Sequence, residues 1–136
     1  MSEDQCGAPS GPEEGGSRGP AETLREASRA ASRGETLRAC RLAREAARAA
    51  LAALVESVGG VGCRGSIVGT LRGLEAAGVE VPPRMFEVAH ILDPHMGDAR
   101  KLGAQEEAGL GEGHGEECVE AARSIIAWAS GALGGR

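Results

Sequence analysis

The sequence predicts an all-α, up-and-down bundle of four to five helices, and three observations carry that prediction. Residues 35–58, ETLRACRLAREAARAALAALVESV, contain no Gly or Pro and are dominated by strong helix formers. Gly34, Gly78, Pro82, Pro83 and Pro94 punctuate the remaining chain between apolar runs of helical spacing. Alternating strand patterns are absent apart from the brief Val79-Glu80-Val81.

Residues 1–19 are rich in Gly, Ser, Pro and Glu and have no apolar periodicity. They cannot repay the entropy of ordering and are read as a flexible tail preceding a single domain over residues 20–136. Pro20 suits the first turn of a helix, and Leu24, Ala27 and Ala31 then share one face as far as Arg33. Gly34 allows a tight reversal, so the long helix that follows lies antiparallel to the first. On that helix Ala39, Leu42, Ala43, Ala46, Ala47, Ala50, Leu51, Ala53, Leu54 and Val58 fill about half of the cylinder. A half-buried circumference calls for neighbours on two sides, which makes this the central helix. Its apolar arc is mostly Ala, so partner helices approach closely.

Gly59 to Gly65 break the chain, and Ser66 is placed to N-cap a third helix carrying Ile67, Leu71 and Leu74 up to Gly78. Pro82 and Pro83 open a fourth, whose apolar face is Met85, Val88, Ala89 and Leu92. From His95 to Gly115 the pattern fails, although Asp98 to Ala108 can hold a helical turn or two. A last helix over about residues 116–133 places Cys118, Ala122, Ile125, Ala129 and Leu133 on its apolar side.

Hydrophobic residues make up 41% of the 136, but much of that fraction is Ala, with one Trp, one Phe and no Tyr. The core is therefore thin, which favours oligomerisation. The net charge of −5 excludes a protein that coats nucleic acid non-specifically. The stripe of Arg38, Arg41, Arg44 and Arg48 on the central helix can still grip one phosphate-bearing ligand. Its plainer reading is a solvated or intersubunit charged face, with Arg41 paired to Glu45. The cysteines, Cys6, Cys40, Cys63 and Cys118, show no CxxC pairing, and reduced structural thiols are expected. No apolar run approaches a membrane span and no charged segment precedes an apolar one at the N-terminus, so a cytoplasmic protein is expected.

Four stretches in order carry a family likeness. They are the short first helix ending at Gly34, the Ala-rich ACRLAREAARAALAAL, LRGLEAAGVEVP with its Gly and turn into Pro, and ILDPHMGDAR followed by a helix ending in IIAWAS. In these the chain resembles the HEPN domain family, small helical domains of prokaryotes and higher eukaryotes named for nucleotide binding. The resemblance implies a four- or five-helix bundle, usually homodimeric, that often acts with a small nucleotidyltransferase in a toxin–antitoxin or stress module. Some members are metal-independent RNases that use an Arg followed four to six residues later by a His. Arg100 holds the place of the Arg that lies before the last helix in the branch this chain most resembles. Gln105, Glu106 and Glu107 stand where the following His would fall, so the nuclease motif is absent there. The His that often opens the third helix corresponds to Gly65, and the Glu and Lys that often punctuate the second correspond to Arg48 and Ala52. These departures favour a binding or assembly function.

One pair keeps the nuclease spacing, Arg84 and His90, and both fall on the fourth helix. There they sit about 120° apart, so one phosphate is reached only if Arg84 folds over the helix start or a second subunit completes the site. His as proton shuttle and Arg on the charged phosphorane need no metal. The alternative has Arg84 capping a turn and His90 packing at the edge of the core. His90, His95 and Arg100 mark the most polar corner, and with Arg44 and Arg48 they are the candidate contacts for nucleotide or RNA. For Arg100 the plain alternative is a loop Arg paired with Asp98 or a nearby Glu. His90, Asp93 and His95 lack the i, i+4 spacing of helical metal ligands. His114, Glu117 and Cys118 are nominal ligands in a segment read as a loop leading into an acidic helix start. No metal or cofactor is expected.

Overall fold

The computed structural model describes residues 19–59, 66–93 and 113–134, and within them the chain forms five α-helices and no strand. They are α1 (Pro20–Ser32), α2 (Thr36–Ser57), α3 (Ile67–Ala76), α4 (Pro83–Leu92) and α5 (His114–Gly134). The tail expected before residue 19 and the helical turns expected within residues 98–108 lie outside the described residues. No described helix is long and apolar enough to cross a membrane.

Local chemistry sets the ends of the helices. α1 begins at Pro20 and stops where Gly34, at φ 78°, reverses the chain. The Gly34 N–H donates to the Ala31 carbonyl at 3.0 Å and the Glu35 N–H to that of Ala30 at 2.9 Å. These paired bonds satisfy the last carbonyls of α1 while delivering the chain into α2, and the positive φ suits Gly alone at no steric cost. The same pair of bonds closes α3, from Gly78 to Glu75 at 2.9 Å and from Val79 to Leu74 at 3.0 Å. At its start Ser66 Oγ accepts from the Gly69 N–H at 2.9 Å, which is the expected N-cap. Val79 and Val81 are buried and Glu80 exposed, so the brief alternation is an extended link whose two valines enter the helical core.

α2 is the central element, with its most extensive packing against α5 and then α1; α4 lies on α5, and α3 rests mainly on α4. Its buried residues include Ala39, Ala43, Ala46, Ala47, Ala50, Leu51 and Leu54, as the periodicity predicts, together with Cys40 and Val55. Ala53 is exposed and Leu42 only half-buried. The buried arc spans about half of the cylinder, but it is rotated toward Cys40, the side that α5 covers. Ala43, Ala46 and Ala47 are fully buried, so α2 meets its neighbours through methyl groups and close backbone approach. Ala47→Leu is accordingly expected to cost about 1–3 kcal/mol by overpacking, read as a lower urea midpoint at unchanged m-value. Ala53→Leu, on the exposed side, is expected to change stability by less than about 0.5 kcal/mol.

α5 starts at His114, earlier than its acidic first turn suggests, because its opening is pressed against the α1–α2 hairpin. A Cβ on the buried Gly115 would lie 3.3 Å from the Ala39 Cβ and 3.4 Å from that of Ala31, a fit that Gly makes possible. This approach brings Cys40 of α2 and Cys118 of α5 together as a disulfide, with Cα atoms 5.1 Å apart. The expectation of reduced thiols is corrected here for Cys40 and Cys118; Cys6 and Cys63 lie outside the described residues. Each helix taken alone places its Cys on a core face, and only the rotation of the α2 arc shows that the two faces meet.

Candidate functional site

The polar centre of the described structure joins α2, α3 and α4. Asp93 ends α4 and turns back toward α3, where its carboxylate accepts the Ile67 N–H at 2.9 Å and the Val68 N–H at 2.8 Å. These are orphan donors of the first turn, so an anion at this helix start is stabilised by both hydrogen bonds and dipole. Arg44 reaches the same carboxylate from α2, its Nε 3.7 Å from Asp93 Oδ1, and the two side chains are only 13% and 14% exposed. Burial lowers the Arg44 pKa, the like charge of Arg48 lowers it further, and Asp93 pulls it partly back. Arg48 is the next residue along the stripe and is half-buried. Two cations thus share one face of α2, and Asp93, already holding two backbone donors, offsets the charge of Arg44 in part.

The other members of the Arg stripe have ordinary surface roles. Arg38 pairs with Glu26 of α1 at 3.2 Å and more loosely with Glu35 at 3.9 Å. Arg41 and Glu45 are both exposed and form no ion pair with each other. An open groove of ≈ 320 Å³ runs along this outer surface, lined by Leu37, Arg38, Arg41 and Leu42.

Arg84 and His90 are both exposed on α4, so His90 does not pack at the edge of the core. Their separation around the axis, about 120°, is that of an unbroken helix, and α4 runs without interruption between them. Within one chain the structure does not bring them together. His90 instead stands in the last turn of α4, one turn before Asp93 and on the Asp93 side. His95 and Arg100 lie outside the described residues.

Near the start of α2, one turn before Arg44, the nominal ligand set takes a defined form. His114 is the first residue of α5, and its Nδ1 lies 3.2 Å from Glu117 Oε1. Its Nε2 is 4.0 Å from Cys118 Sγ, and Cys40 Sγ is 3.9 Å from the His114 carbonyl oxygen. The helix begins at His114, two residues before the start expected at about residue 116, so His114 and Gly115 are helical and not part of a loop. Residue spacing pointed to His114 and Cys118, but Cys40 was missed because it belongs to another helix, and no local signal links the two. The capping role of Asp93 was missed for the same reason, since its partner Ile67 is 26 residues away.

The family model of the HEPN domain matches residues 21–132. The fold is similar to the crystal structure of a HEPN domain protein from Thermotoga maritima, with a TM-score of 0.66 and 21% identity, over 85% of this chain and 93% of that one. At that identity the likeness is one of architecture: an all-α bundle with the same arrangement of helices. No curated protein matches the sequence.

Proposed function

Because this chain belongs to the HEPN domain family, we propose that it is a binding and assembly component that acts, as a homodimer, with a small nucleotidyltransferase in a toxin–antitoxin or stress module. It contacts nucleotide or RNA along the basic edge of α2 at Arg44 and Arg48 and at His90 in the last turn of α4, and has no nuclease activity of its own. The observation that carries this reading is the sharing of one half-buried face by Arg44 and Arg48, with Asp93 beside Arg44. A phosphate placed there relieves the repulsion between the two guanidiniums, and Arg suits its planar, bidentate recognition. The absence of nuclease activity is supported by Arg84 and His90 diverging around α4. The competing reading, a metal-independent endoribonuclease, draws on their exposure: with Arg84 from one copy and His90 from another, a site across a dimer cleft remains geometrically open.

One experiment separates the two. The purified protein is incubated with a mixed RNA pool and a chelator, beside the His90→Ala variant, with its mass in solution measured by light scattering. Intact RNA with a dimeric mass is the expected result. Binding of a nucleoside triphosphate or short RNA should weaken about tenfold in Arg48→Ala, the loss of roughly one charge-assisted phosphate contact. It should be unchanged in Arg29→Ala, an exposed Arg on α1. Cleavage by the wild type that His90→Ala abolishes would establish the endoribonuclease instead.

A further inference from the structure

We propose that the reduced form of this chain binds one thiophilic divalent cation of the zinc class through Cys40 Sγ, Cys118 Sγ and His114 Nε2, and that the disulfide is the closed, metal-free form of this site. The three donors come from two packed helices, and one ligand atom from each falls within 4.8 Å of the other two. Two thiolates on a tetrahedral zinc, each about 2.3 Å from the metal, stand about 3.8 Å apart, so the two sulfurs, bonded to each other here, separate on reduction to admit the ion. His114 and Cys118 are four apart on α5 and so project from one face, a spacing that holds two ligands on a common metal without bending the backbone. Cys40 completes the set from α2, the most firmly packed helix of the domain.

The orientation of His114 is an independent observation pointing the same way. Its Nδ1 faces Glu117 Oε1 at 3.2 Å and its Nε2 faces the sulfurs, 4.0 Å from Cys118 Sγ, so the tautomer protonated at Nδ1 turns the Nε2 lone pair toward the sulfurs. A carboxylate behind an imidazole fixes the tautomer and raises ligand basicity, which is the outer support that metal-binding His side chains use. Cys118 is fully buried and Cys40 nearly so. Lone thiolates are costly in such a place, whereas a divalent cation neutralises both. Two sulfurs and an imidazole select zinc-class cations over magnesium or calcium, which take oxygen donors. The fourth position is left to water or to an exogenous ligand.

Exchange between the two forms is a balanced reaction with an external dithiol. One of its thiolates attacks a sulfur of the Cys40–Cys118 bond, and its second thiol displaces the mixed disulfide. The reagent leaves as its own disulfide, and the protein sulfurs gain two electrons and two protons. Entry of the cation then releases those two protons to solvent.

The test uses the full chain carrying Cys6→Ser and Cys63→Ser, so that only the proposed thiols remain, reduced with a dithiol and desalted without oxygen. Titration with Co²⁺ is expected to give the visible bands of a tetrahedral site and a near-ultraviolet thiolate charge-transfer band, saturating at one ion per chain and bleached by zinc. The oxidised form of the same protein should give neither. His114→Ala and Glu117→Gln are each expected to weaken zinc affinity by about 10- to 100-fold, and Cys118→Ser by more, with helical content checked by circular dichroism. A reduced protein that gives no tetrahedral cobalt spectrum overturns the proposal without recourse to any ligand variant. So does unchanged affinity in a folded His114→Ala protein, which would leave the pair as a structural disulfide beside a surface His.

Discussion

Reduction of the Cys40–Cys118 disulfide is expected to lower the unfolding free energy by about 4 kcal/mol. The bond closes a loop across a sequence separation of 78 residues. Loop-closure entropy places a link of that size between the values for short loops and those near a hundred residues. That is a large share of the total because the core has little else in reserve: apart from Cys118 the largest fully buried side chains are Leu and Ile, and much of α2 is buried as Ala. Urea unfolding with and without a dithiol checks it. The wild-type midpoint should fall on reduction, whereas Cys40→Ser/Cys118→Ser should be insensitive to the dithiol and unfold near the reduced midpoint. A wild-type midpoint indifferent to reductant would show that the link contributes nothing. Zinc added to the reduced wild type at about 100 times its dissociation constant should restore about 2.7 kcal/mol of the loss.

Asp93→Ala is expected to cost about 3 kcal/mol, or about 12 °C in melting temperature for a domain of this size. The substitution strips the Ile67 and Val68 N–H groups of their acceptor and leaves the half-buried Arg44 without the carboxylate that opposes its burial. Arg44→Met should cost less, because the partner left behind keeps its two backbone donors while the apolar chain fills the same space. A double-mutant cycle between the two positions measures the coupling, expected at about 1 kcal/mol or more. If Asp93→Ala and Arg44→Met destabilise equally and additively, Asp93 acts on α3 alone and the three-helix junction is not a unit.

Much of the bundle was legible because its signals are local. A long run without Gly or Pro, Pro at helix starts, Ser66 as a cap and Gly34 and Gly78 as stops each act within one turn of where they stand. The site was less legible because its members act across the chain. Arg44 and Arg48 could be read as a stripe, yet nothing near Arg44 says that it leans on a carboxylate contributed by α4. Periodicity left His90 beside the apolar arc of α4, and only the packing of neighbouring helices shows that it faces out. The Cys40–Cys118 pairing depends on the rotation of α2, set jointly by α1 and α5, and a rotation is not encoded in the spacing of one helix.

The way α3 is held has a consequence for how the domain opens. It is ten residues long, carries Gly69 and Gly73, rests mainly on α4 and is secured by end contacts. α2 and α5, by contrast, are covalently joined and share the most extensive packing. Native-state amide hydrogen exchange should therefore resolve two tiers of protection, with α3 amides exchanging through a partial opening at lower free energy and α2 amides only through global unfolding. In Asp93→Ala the lower tier should drop by more than the upper one. The polar junction would then serve as the latch of a detachable helix, and the Arg44–Arg48 edge would change its neighbours each time α3 swings away.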